Sequence, residues 1–123
     1  MSNVIKATFD TNTVEGMKKL FNAKTGASTS LKNVESGFQM QVTDVLIYED
    51  EVNNGYANDG VSTITVLFTD DGESYASISP TIAEAGKSLV DFLDVAGDGG
   101  VAVKLVKANS SKGQEFLNLQ IVM

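Results

Sequence analysis

Apolar residues along this chain alternate more often than they recur at helical spacing, which predicts a mainly β protein. In "GFQMQVTDVLIYEDE", Phe38, Met40 and Val42 fall two apart, and Val45 and Ile47 resume one position out of phase. A bulge or sharp bend near Thr43 and Asp44 would return both sets to one face. Bent strands of this kind help close small barrels. "VSTITVLFTDDGESYASIS" reads as a hairpin, with Val61, Ile64, Val66 and Phe68 before the turn and Tyr75 and Ile78 after it. Asp71 and Gly72 supply the favoured two-residue turn. "VAVKLVKA" and "EFLNLQIV" alternate around "NSSKG" and form a second hairpin.

One stretch has a clear helical period. In "SPTIAEAGKSLVDFLDVAGDGG" the residues Ile82, Ala85, Leu89, Val90 and Leu93 share a face, and Thr81 with Glu84 has capping-box spacing. "GDGG" stops the helix. "VIKATF", residues 4–9, alternates as a short strand. Residues 14–23 fit two patterns. Val14, Met17, Leu20 and Phe21 are helically spaced, "KKLFNA" suits an amphipathic strand, and Gly16 argues against a long helix. "ASTSLKNVESG" and "VNNGYANDG" read as loops. The order of elements predicts an OB-fold-like small barrel of five to six strands, with one α-helix before the last hairpin. A generic α+β sandwich is the competing architecture.

Composition narrows the chemistry. The 123 residues are 42% apolar and 20% charged, which suits one domain over residues 1–123 with its own core. No run is long enough to span a membrane, and "MSNVIKATFD" has no apolar signal region, so a cytosolic setting is expected. There is no His, Cys or Trp, and all nine basic residues are Lys. The usual triads, thiol nucleophiles and zinc sites cannot be assembled from such a set. The guanidinium fork that clamps phosphate is missing too. An enzyme is not expected, and neither is a cofactor. The net charge of −7 is unevenly spread: residues 1–32 carry +3, residues 33–86 carry −10, and residues 87–123 balance to zero. Such asymmetry can reserve a face for an anionic partner. It is equally the mark of an acidic protein with scattered charge.

The candidate sites are of unequal weight. "DDGE", "NDGV" and "GDGG" look like fragments of calcium loops, but the full ligand spacing is absent and turn chemistry explains each; no metal is expected. Gly97, Gly99 and Gly100 follow a helix rather than open one, so they form no nucleotide fingerprint. Tyr56 stands in a polar loop with no apolar neighbours in sequence, where an aromatic ring can stack on a nucleobase. Tyr48 and Tyr75 fit either that role or the rim of a core. Lys18, Lys19, Lys24 and Lys32 precede the long strand, and Lys104, Lys107 and Lys112 belong to the last hairpin. In an OB-fold the loops at these two places flank the binding face. Singly, each lysine is explained as well by solubility.

At these residues the chain resembles the small single-stranded DNA-binding proteins of φ29-like phages. The resemblance runs through "IKATFDTNTVEG", "FNAKTG", "SLKN", "YASIS" with "TIAEA" behind it, and "SSKGQEFLNLQI". It implies a non-catalytic protein that coats displaced single strands without sequence preference, protects them and assists strand-displacement replication in the cytoplasm of the bacterial host. It also implies tyrosine-mediated binding, with Tyr48, Tyr56 and Tyr75 at the corresponding places. The expected partners are single-stranded DNA and a phage replication polymerase, with the chain a monomer. The very acidic "YEDEV" and "TDDGES" depart from a simple DNA-binding pattern and leave an acidic interaction module, or a DNA mimic, as the alternative.

Overall fold

The computed structural model describes residues 3–24, 28–51, 61–96, 100–109, 113 and 115–122. Its elements in chain order are β1 (Asn3–Ala7), α1 (Val14–Lys24), β2 (Thr29–Ser30), a 3-10 turn (Leu31–Asn33), β3 (Gln39–Glu51), β4 (Val61–Thr69), β5 (Ser74–Ser77), α2 (Pro80–Ala96), β6 (Val101–Asn109) and β7 (Glu115–Ile121). All the strands belong to one sheet, ordered β2-β5-β4-β3-β6-β7, with β1 added to β3. This is a mainly β, OB-like curled barrel. Among the described residues it has seven strands where five to six were expected, and a second α-helix at residues 14–24, where helix and strand were both open.

The phase change in the long strand is a β-bulge. Val42 pairs with Thr69 and Asp44 with Phe68, so Thr43 is the extra residue. The bulge puts Met40, Val42, Val45 and Ile47 into one buried cluster despite their broken period. One edge of β3 serves two partners: residues 39–42 pair with β6 and residues 46–49 with β1, while β4 runs along the opposite edge. Sharing a bent strand in this way makes the sheet curl instead of lying flat.

The two faces of the sheet are covered by different helices. Inside the curl, Leu67, Val103 and Leu105 pack with Ile82, Leu89, Val90 and Leu93 of α2. Helix α2 approaches β3 and β4 closely at Gly86, where an added Cβ would lie 2.8 Å from Thr65 Cγ2. On the other face, Leu46, Tyr48 and Val66 are buried against Ala23, with Leu20 and Phe9 beside them. That second cluster settles residues 14–23 as helix. Thr13 caps it, its Oγ1 accepting from Gly16 N at 3.1 Å. Leu20 and Ala23 face the sheet, whereas Val14, Met17 and Phe21 are exposed; the helical spacing is real, but much of the apolar stripe points outward.

Two local expectations are corrected. Helix α2 begins at Pro80, a favoured first helical position, so Thr81 lies inside it and makes no capping box with Glu84. Glu84 instead meets Lys87 at 3.4 Å. The β4–β5 connection is also longer than two residues. Thr69 N donates to Glu73 O at 3.0 Å, Gly72 N donates to Thr69 O at 3.2 Å, and Gly72 takes φ 85°. Its glycine therefore closes a wider turn, with the Asp71 carboxylate accepting from Thr69 Oγ1 and Glu73 N.

Candidate nucleic-acid interface

Residues 28–38 form a bridge between two strands that do not pair with each other. At its start, β2 lies parallel to β5, Thr29 opposite Tyr75 and Ser30 opposite Ala76. Ser28 Oγ and Ser74 Oγ are 2.8 Å apart. At its end the bridge joins β6: Gly37 N donates to Leu105 O at 2.6 Å, and Leu105 N donates to Phe38 O at 2.8 Å. Lys107 N donates to Ser36 Oγ, and Lys107 Nζ donates to Lys32 O, both at 3.1 Å. Leu31, fully buried, and Val34 anchor the bridge in the core.

This bridge gathers several of the candidate residues. Tyr75 stands on β5 beside it, half-buried, and packs against Phe38 with ring centroids 5.6 Å apart and planes at 59°. Burial raises the Tyr75 phenol above its ordinary pKa, and the Asp71 and Glu73 carboxylates add to the effect. Asp71 itself is held below the usual carboxylate range, first by the Thr69 hydroxyl and then by the Glu73 amide. Lys32 is exposed on the bridge and also lines a cavity of about 320 Å³ with Ser28, Ser30, Tyr48, Ile64 and Ile78. Tyr48 thus meets Lys32 in one groove, but the residue is only 3% exposed. The expectation of an open ring there is corrected, because a ring so enclosed offers a base no free face.

The remaining lysines divide. Lys19 Nζ sits 2.6 Å from Asp44 Oδ2, and it lies 5.0 Å from the Phe9 ring centroid and 5.6 Å from that of Phe68. Thr8 Oγ1 donates to the other Asp44 oxygen at 2.8 Å. Lys19 is therefore engaged in fastening α1 to the sheet rather than held out for phosphate. Replacing Lys19 with Met is expected to cost about 1 kcal/mol, the sum of a half-exposed ion pair and a cation–π contact, read as a lower urea midpoint. Lys18 is exposed, but it shares its cleft with Glu15 and Glu73. Lys104 and Lys107 do not share a face: Lys104 lies between Gln39 and Gln120 in the ladder, three positions before Lys107, so the pleat turns the two side chains oppositely. Among the described residues, Lys18, Lys32, Lys104 and Lys107 form no ion pair. Tyr56 and Lys112 lie outside the described residues, as does the Lys24 side chain at the end of α1.

Phe38, read from the sequence as one of the alternating apolar positions of the long strand, is 39% exposed, as Phe21 is 67% and Phe92 42%. Its position just before the long strand, after Gly37, was the available signal. No helix among the described residues is long and apolar enough to cross a membrane.

Comparison with known proteins identifies the family. No solved structure matches the chain. The family model of the phage single-stranded DNA-binding protein matches residues 1–122. The single-stranded DNA-binding protein of Bacillus phage PZA is 40% identical over 120 residues, 98% of this chain and 96% of that protein. The corresponding protein of Bacillus phage phi29 is 39% identical over the same lengths. That of Bacillus phage B103 is 38% identical over 122 residues, 99% of each chain. With the match running through both hairpins, both helices and the bridge, the chain belongs to the phage single-stranded DNA-binding protein family.

Proposed function

We propose that this protein binds single-stranded DNA without sequence preference, and that it coats and protects strands displaced during phage DNA replication in the host cytoplasm. One observation carries the reading: in a protein of this family, unpaired lysines and an accessible tyrosine converge on the bridge between β5 and β6. Lys32 and Lys107 neutralise phosphates there, and Tyr75 stacks on a base. Tyr56, Lys24 and Lys112 are further candidates from the sequence, and Lys18 and Lys104 lie away from this path. Stacking is indifferent to base identity because every base has a π-face, and a duplex hides those faces, so single strands are selected. The protein acts as a coat and not as an enzyme, and the replication polymerase is its expected neighbour.

Titration with oligo(dT) at low salt tests this. There is no Trp, so tyrosine fluorescence reports directly on stacking and should be quenched. Engaging about three phosphates gives a slope of log affinity against log salt near −2. Lys19→Met should leave that slope unchanged, since Lys19 is committed to Asp44. An unaltered signal together with no mobility shift at high protein concentration would favour the acidic interaction module instead.

A further inference from the structure

We infer that Phe38 and Tyr75 together form one base-stacking step, and that the strand's sugar–phosphate backbone passes this step on the Lys32–Lys107 side. The inference rests on the single-stranded DNA reading above and deepens it. An exposed phenylalanine at the edge of a barrel is costly in water, and Phe38 keeps 39% of its surface there while touching Tyr75. The two rings are tilted, 59° apart, so they present a stepped surface rather than a closed stack. A flat apolar base laid on that surface removes the exposed part of Phe38 from water without displacing any hydrogen-bonded group. Phe38 has no polar atom, so its contribution is indifferent to sequence.

Charge then fixes the side on which the backbone runs. Asp70, Asp71 and Glu73 occupy the β4–β5 turn immediately before the strand that carries Tyr75, which puts negative charge at that end of β5. Phosphates are repelled from that side. On the other side, the bridge residues adjoining Phe38 bring the Lys107 ammonium to the Lys32 carbonyl. One of the three Lys107 protons is used in that bond, leaving donors for a phosphate. The acidic turn and the basic bridge thus act as opposite rails, and the net acidity of the segment that carries Tyr75 orients the strand instead of opposing its binding.

The test uses the full chain with oligo(dT) and with an oligonucleotide carrying 5-iodo-deoxyuridine for photo-cross-linking. Phe38→Leu is expected to weaken oligo(dT) binding about tenfold, within the range of a lost base stack. Phe38→Tyr should restore it. Lys107→Gln should lower the magnitude of the salt slope by about 0.7, the equivalent of one phosphate on a single strand. Cross-links in the wild-type protein should map to the peptides containing Phe38 or Tyr75, and this readout stands even where a variant fails to fold. If the wild type binds while Phe38→Leu binds equally well, or the cross-links fall elsewhere, the stacking step is overturned and the DNA-binding reading survives. An unchanged slope in Lys107→Gln overturns the backbone path alone. If the wild-type protein binds no oligo(dT), both readings fall together.

Discussion

Gly100→Ala should unfold a large share of the molecules under conditions where the wild type is fully folded, costing about 2–5 kcal/mol. Two independent effects meet at this residue. Its φ is 73°, in the left-handed region, where any side chain with a Cβ pays of order 1–2 kcal/mol. An added Cβ would also lie 2.3 Å from Val42 O and 3.3 Å from Thr43 Cα, both backbone atoms of β3. Backbone cannot swing aside as a flexible side chain can, so the strand must shift, at a further cost of roughly 1–3 kcal/mol. The site matters because Thr43 is the bulge that curls the sheet, and β6 leaves Gly100 to pair with β3 next to it. Gly72→Ala provides the control. Its φ is 85°, but nothing lies within 4 Å of the added Cβ, so only the conformational cost applies. Urea denaturation of the two variants separates the terms. Equal losses would mean that the close approach at the bulge contributes nothing.

The bulge was legible in the sequence because burial left a mark there: Met40, Val42, Val45 and Ile47 must share one face, and their spacing records the extra residue. Helix α2 was legible for the same reason. A capping box on Thr81 would start it at Ile82, two positions late, since a Thr–Glu spacing resembles a cap even when Pro80 has already begun the helix. Helix α1 could not be settled from its pattern. Leu20, Ala23 and Lys19 meet the sheet and Gly16 lies against the Asp10–Thr11 turn, while Val14, Met17 and Phe21 are exposed, so most of the stripe that suggested a helix is not the face that packs.

The candidate site was legible in residue type and only partly in place. Lysines do cluster at the last hairpin and before the long strand, yet sequence cannot tell an ammonium held by Asp44 from one open to solvent. Strand parity separates Lys104 from Lys107, and a parallel pairing of just two residues, β2 with β5, sets Thr29 opposite Tyr75 at the start of the bridge. A bridge with so little regular structure leaves no periodic signal. The apparent conflict between net acidity and DNA binding dissolves at this scale. A charge of −7 acts through a solvent that screens within about 8–10 Å at ordinary salt. On the proposed path a phosphate would meet the local set, Lys107 at the bridge on one flank and the acidic β4–β5 turn on the other.

Tyr48→Ala is expected to act on stability first, lowering it by roughly 3–5 kcal/mol, the range for removing a buried aromatic ring. Tyr48 packs with Leu46, Val66 and Ala23, and its loss would open a cavity where α1 meets the sheet. That face already borders the groove of about 320 Å³ beside Lys32, so the cavity would join solvent and loosen the seat of α1. Affinity for oligo(dT), corrected for the fraction folded, should stay within a few-fold of wild type, since the enclosed ring makes no stack. Tyr75→Leu should behave in the opposite way, losing about tenfold in affinity for a smaller loss of stability, because its ring is half-buried and stacks on the base. Measuring the urea midpoint and the oligo(dT) affinity on the same samples resolves the two residues. A Tyr48→Ala protein as stable as wild type but tenfold weaker in binding would sink the assignment. It would show that the ring leaves the core when DNA arrives, and that the groove lined by Lys32 opens onto a base.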